Sequence, residues 1–124
     1  MKEFVRKTKP ENCISDAKAM EMREHWNATR AKAITQALGF TDSADFVWSL
    51  EALEDYIAYV KQQSKAQGIE NPGIRANFAA YPDTNRASLF FSATVSPDGN
   101  ADNNYNIEAF NLGQQGYPPV DFGD

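Results

Sequence analysis

Asp98, Asn100 and Asp102 place oxygen-bearing side chains at alternate positions of the segment Asp98-Gly99-Asn100-Ala101-Asp102-Asn103-Asn104. A turning backbone with that spacing can enclose a hard cation such as calcium or magnesium, and the three residues match the first ligand positions of an EF-hand loop. The match stops there. Asn103 stands where the turn glycine belongs, Ala109 stands where a bidentate Glu belongs, and Glu108 is one residue out of register. Asp and Asn also bond their own backbone and tolerate left-handed conformations, so a plain hairpin loop accounts for the segment better. Asp98, Asn100 and Asp102 are the candidate metal site, disfavoured against that loop. With Glu108, Asp98 and Asp102 define one alternative function, a small cation-dependent hydrolase.

The remaining reactive side chains form no known constellation. His25 is the single histidine, with Glu21 and Glu24 near it and no second imidazole for zinc or for proton transfer. Cys13 is the single cysteine, so no internal disulfide is possible and the fold does not depend on an oxidising compartment. Glu51, Glu54 and Asp55 fall within one helical turn and read as a solvated acidic face. Asn27-Ala28-Thr29 has the form of a glycosylation acceptor but sits inside a helical pattern with no secretion signal before it. Gly113-Gln114-Gln115-Gly116 lacks the spacing of a phosphate loop and follows a strand without opening a helix. Tyr117-Pro118-Pro119-Val120 reads as a stiff tail that packs Tyr117 over a sheet edge. No catalytic residue and no cofactor is assigned.

The elements that must position these residues are legible from spacing. Ser15 can cap a helix from Asp16 to Leu38, with Ala17, Met20, Trp26, Ala31, Ile34, Ala37 and Leu38 as its apolar stripe and Gly39 as terminator. Phe40 to Trp48 connects it to a second helix, capped by Ser49, with Trp48 packing on Leu53 and a stripe of Leu50, Leu53, Ile57 and Val60 ending at Gly68. Asn71-Pro72-Gly73 then turns into a strand from Ile74 to Tyr81. Its alternation puts Ile74, Ala76 and Phe78 on one face and Arg75, Asn77 and Tyr81 on the other. Pro82 to Arg86 turns into a second, central strand from Ala87 to Val95, and Tyr105 to Leu112 is expected as a third. Phe4 and Val5 could add an edge strand.

The 124 residues, 42% hydrophobic and 23% charged, describe one domain: a leader (1–14), a helical half (15–68), a sheet half (69–112) and a Gly/Pro-rich tail (113–124). No apolar run nears the roughly 18 residues of a membrane span. Met1 to Gly68 balances ten basic against ten acidic residues, whereas Ile69 to Asp124 sets Arg75 and Arg86 against seven acidic residues, so the net charge of −5 lies in the second half. Two cations are too few to displace the counterions of a nucleic acid, and the acidity would repel anionic lipid. It suits a basic partner. The polar leader points to the cytoplasm.

The segment Gly73-Ile74-Arg75-Ala76-Asn77-Phe78-Ala79-Ala80-Tyr81-Pro82, the strand Ser88 to Thr94, Asn111-Leu112-Gly113 and Pro118-Pro119 resemble a pattern in small bacterial α+β proteins of no established activity. The resemblance covers about the last half of the chain. It implies a shared architecture and shared use of Arg75, Tyr81 and Asn111, and no mechanism.

The expected fold is α+β: two N-terminal helices packed on one face of a three- or four-stranded antiparallel sheet, covering Ile74, Phe78, Leu89 and Phe91. The expected function is a non-catalytic protein-interaction module using the acidic β half, with Arg75, Asn77, Tyr81, Phe90 and Asn111 as candidate binding residues. The expected partner is an unidentified protein, a basic one being what the charge suits, and a homo-oligomer is compatible. An inhibitor or immunity protein for a basic toxin is a further alternative.

Overall fold

The computed structural model describes residues 8–111, 114–115, 119 and 122. It is an α+β protein with a helix-rich N-terminal half and an antiparallel two-stranded sheet in the C-terminal half. In chain order the elements are α1 (Asp16–Trp26), a π turn (Asn27–Ala31), α2 (Lys32–Leu38), β1 (Phe46–Val47), α3 (Leu50–Ala66), β2 (Gly73–Ala80), β3 (Ala87–Thr94) and β4 (Gln114–Gln115). Among the described residues no helix is long and apolar enough to cross a membrane.

Local chemistry sets the helix ends. The Ser15 hydroxyl accepts the Lys18 amide at 3.1 Å and the Ser49 hydroxyl accepts the Ala52 amide at 2.9 Å, each satisfying a donor that the first turn leaves open. Gly39 at φ 84° and Gly68 at φ 79° close α2 and α3 in the left-handed region that a β-carbon disfavours. Inside the first helix the Thr29 hydroxyl donates to the His25 carbonyl at 2.6 Å, a bond that competes with the backbone ladder where it widens into the π turn.

The core is small and belongs to α3. Tyr56, Val60 and Ser64, four residues apart on one helix face, are its buried positions. Tyr56 and Val60 pack with Ala93 and Ile107, and Phe91 and Phe110 lie against them. The Tyr56 ring stacks on Phe110 at 4.9 Å and its hydroxyl donates to the Glu108 carbonyl at 2.9 Å. Burial, and secondarily the neighbouring Tyr59, push the Tyr56 pKa above its ordinary value, which keeps it a neutral donor. The buried face is therefore rotated from the expected stripe: Leu50 and Ile57 are exposed. Trp48, expected on Leu53, has its ring 5.0 Å from Phe91 and donates its indole N–H to the Asn111 carbonyl at 2.7 Å.

β2 and β3 pair in unbroken register from Gly73↔Thr94 to Ala80↔Ala87. The turn between them spans Pro82 to Asn85, with Asn85 at φ 61° and the Tyr81 amide bonded to the Arg86 carbonyl at 2.9 Å. A β-carbon at Gly73 would lie 2.6 Å from Thr94 Oγ1 and 2.8 Å from the Ser96 carbonyl oxygen, so the strand must begin on glycine.

Three expectations about the sheet need correction. The expected third strand from Tyr105 to Leu112 is not regular: the chain touches β3 at the bridges Thr94↔Asn103 and Phe91↔Phe110 and leaves it between them. There the Asn104 side chain accepts the Asn106 amide at 3.1 Å, and its backbone carbonyl accepts the Ile107 amide at 3.2 Å. This turn carries Ile107 into the core, where a flat strand would hold it alongside β3. A separate short pair, β1 with β4, takes the place of a longer sheet. The edge strand from Phe4 and Val5 and the packing of Tyr117 lie outside the described residues.

The second correction concerns the first helix. None of its residues is buried, because its apolar side chains are small or widely spaced, and Met20 is exposed. It is held by an Arg23–Asp45 ion pair at 3.3 Å and by half-buried Trp26, Ile34 and Leu38. Third, the apolar face of the hairpin is only half covered. Phe91 and Ala93 of β3 lie in the core, whereas Ile74 is 41% and Phe78 89% exposed on β2. The better-covered face of β2 is the polar one, with Arg75 and Asn77 half-buried.

Val60→Ala is expected to lower the unfolding free energy by about 2 kcal/mol, because it opens a cavity in this small core. Phe78→Ala is expected to change it by less than about 0.5 kcal/mol, as for an exposed site. Urea unfolding measures both, and equal costs would contradict the placement of the core.

Candidate functional site

The alternation of β2 sends Arg75, Asn77 and Tyr81 to one side of the hairpin, and the structure joins them to the chain that follows β3. Arg75 donates from Nη1 to Asn103 Oδ1 at 2.6 Å and from Nη2 to the carbonyls of Gly99 at 3.0 Å and Ala101 at 2.9 Å. Asn77 Nδ2 donates to Ser92 Oγ at 3.1 Å and to the Phe90 carbonyl at 3.3 Å, and Ser92 Oγ donates to Asn103 Oδ1 at 3.2 Å. Further along, the Tyr81 hydroxyl donates to Asn111 Oδ1 at 3.1 Å, and Asn111 Nδ2 donates to Ser88 Oγ at 3.0 Å. Phe90 is half-buried on the same side. The five candidate binding residues thus share one side of the sheet, and the polar groups of four of them bond within the chain. Arg75 holds down the 99–103 loop, and Asn111 links Trp48, Tyr81 and Ser88.

The candidate metal loop is organised by its own backbone. Asp98 Oδ1 accepts the Asn100 amide at 3.1 Å, and the Ala101 amide returns to the Asp98 carbonyl at 2.9 Å, an Asx turn. The loop carbonyls that converge face a cation the chain already supplies, the Arg75 guanidinium. Among the described residues no group of three or more His, Cys, Asp or Glu side chains could hold a metal. Cys13, His25, Glu51, Glu54 and Asp55 are exposed.

The feature that sequence reasoning missed is the outer edge of β2. In an antiparallel ladder, residues alternate between turning both backbone groups toward the neighbouring strand and turning both away. Phe91 exchanges both of its bonds with Phe110, at 2.8 and 2.9 Å; the Ala93 carbonyl accepts from Asn104; the Ala87 amide donates to Asp42 Oδ1 at 2.8 Å. All three β3 residues therefore face away from β2, and so must their cross-strand partners Ala76, Ile74 and Ala80 face away from β3. The Tyr81–Arg86 bond gives the same parity from the other set of residues. The even-numbered residues of β2, Ile74, Ala76, Phe78 and Ala80, thus direct their N–H and C=O groups to the open edge.

Among the described residues no strand pairs with that edge. It carries no Lys, no Pro and no bulge over eight residues, the devices that usually blunt an exposed edge. The side chains of Ile74, Ala76 and Phe78 stand beside it, all exposed. A groove of 830 Å³ between α3 and the start of β2 adjoins Ile74, lined also by Ile57, Val60, Lys61 and Lys65. A second, of 690 Å³, adjoins Phe78 and is lined by Trp26, Ile34, Leu38 and Phe46. The signal was present in the chain: an eight-residue strand whose one charge, Arg75, lies on the face opposite its phenylalanine.

No family model, curated protein or solved structure matches this chain at a significant level.

Replacing Arg75 by Met is expected to release the 98–104 loop at a cost of about 1.5–3 kcal/mol, the range for bonds to a charged donor. Arg75→Lys is expected to do no better, since one ammonium cannot reproduce the fork. Amide resonances of residues 98–104 should shift or broaden in both variants while those of α3 stay in place; an unchanged loop would contradict the role given to Arg75.

Proposed function

We propose that this chain is a non-catalytic protein-interaction module that binds through the β2 side of its sheet. The observation that carries the reading is Phe78, 89% exposed beside a strand edge with which no strand among the described residues pairs. An isolated exposed side chain is ordinary, but Ile74, Ala76 and Phe78 form a row with open backbone donors and acceptors along it. That combination is the receptor half of strand addition, in which backbone bonds provide affinity and alternate side chains provide selectivity. The partner is a protein that presents an extended segment with apolar residues at every second position. The acidic excess of residues 69–124 favours basic groups near the docked segment and speeds encounter. The lone Cys13 supports a cytoplasmic setting.

The reading is tested with immobilised chain, wild type against Ile74→Ser/Phe78→Ser, with circular dichroism confirming that both are folded. Proteins in a native lysate, or added untagged copies of the chain, should be retained by the wild type and lost roughly tenfold from the variant, as for the removal of an interface anchor. Retention that ignores the two substitutions would overturn the reading.

A further inference from the structure

We infer that the strand received by β2 is β2 of a second copy, paired antiparallel about a two-fold axis at Ala76. The inference rests on the binding reading above and names its occupant. An antiparallel edge is its own complement, because a two-fold rotation superposes a row of outward donors and acceptors on an identical row. In the register with Ala76 on the axis, Ile74 of one copy faces Phe78 of the other, and Phe78 faces Ile74. Aromatic and β-branched side chains are favoured as direct cross-strand pairs. Both residues are exposed in the single chain, and both become covered together. The three outward residues Ile74, Ala76 and Phe78 then exchange about six backbone hydrogen bonds. Pro72, which has no amide, bounds the pairing at its end.

Charge permits this occupant. The edge carries none, and Arg75, the single charge of β2, is turned away into the 99–103 loop, so no like charges are opposed within the paired residues 74–78. Running the second copy antiparallel brings its Pro82–Asn85 turn, with Asp83, toward the groove at the start of β2, whose lining sets Lys61 and Lys65 against the single carboxylate of Glu70. The two-fold axis makes that acidic-to-basic approach twice. The product is a four-stranded sheet, β3–β2–β2–β3. One strand per copy buries less than the roughly 1,200 Å² of a stable interface, so the dimer should dissociate in the micromolar range.

Sedimentation velocity of the full chain from about 1 to 300 μM, bracketing that range, reads the association directly. Ala76→Pro removes an amide that points out of the sheet and is not needed by the hairpin, a position where edge strands accept proline. Phe78→Lys puts a charge on the edge without touching the core. A concentration-dependent dimer in the wild type, shifted at least tenfold weaker in both variants, is the expected result. A wild type that stays monomeric throughout overturns this inference and leaves the β2 binding reading to the retention experiment. A dimer that both variants preserve overturns it as well, because the copies then meet elsewhere.

Discussion

The seating of one face of α3 on β3 governs the rest of the molecule. Tyr56 and Val60 can reach the sheet only over Phe91 and Ala93, and the remaining space is filled by Ile107 from the chain beyond the sheet. A single helix is roughly as wide as two strands, so a helix centred on β3 and its 103–110 neighbour leaves β2 outside its shadow. The broken third strand follows from the same demand. Asn104 makes the break without leaving polar atoms stranded: its amide donates to Ala93, its side-chain nitrogen donates to Gln67 at 2.7 Å, and its side-chain oxygen accepts from Asn106. A buried asparagine so fully bonded ties the end of α3, the end of β3 and the excursion together.

The two faces of β2 are covered unequally. On one, Arg75 and Asn77 spend their polar groups on the loop that follows β3, so the covered side of the strand is held by hydrogen bonds rather than by apolar contact. On the other, Ile74, Ala76 and Phe78 are exposed, flanked by the grooves that α3 and the Trp26–Leu38 side chains wall, and the backbone groups of the same residues point to the edge that no described strand pairs with. Side-chain and backbone parity coincide at these residues because the ladder alternates with the same period as the pleat. A surface of this kind offers shape, apolar area and directional bonds at once, without a reactive group.

Local features of the fold were legible because they depend on neighbours in sequence. Ser15, Gly39, Ser49 and Gly68 mark helix ends where a short side chain or a missing β-carbon solves a local problem. The Pro82 to Arg86 turn and the alternation on either side of it specify the hairpin in the same way. What escaped was tertiary. Period-two alternation shows that Ile74 and Phe78 share a face, but not whether anything covers it. It was the polar face that acquired a roof, since three carbonyl or amide oxygens of the 99–103 loop attract one guanidinium. The helix stripe was misread by a fraction of a turn because Tyr56 counts as polar by its hydroxyl and apolar by its ring. Of the candidate binding residues, the sequence placed Arg75, Asn77, Tyr81 and Phe90 on one side of the sheet, where the structure puts them. It could not reveal that their polar groups bond to one another's surroundings.

Native-state amide hydrogen exchange tests the central claim, that one small core under α3 holds the molecule while the first helix rides outside it. Amides of α3 around Tyr56 to Ser64 and of β3 around Phe91 to Thr94 should exchange only through global unfolding, and those of α1 and α2 through local openings at a small fraction of that free energy. First-helix amides protected to the global limit would contradict the account.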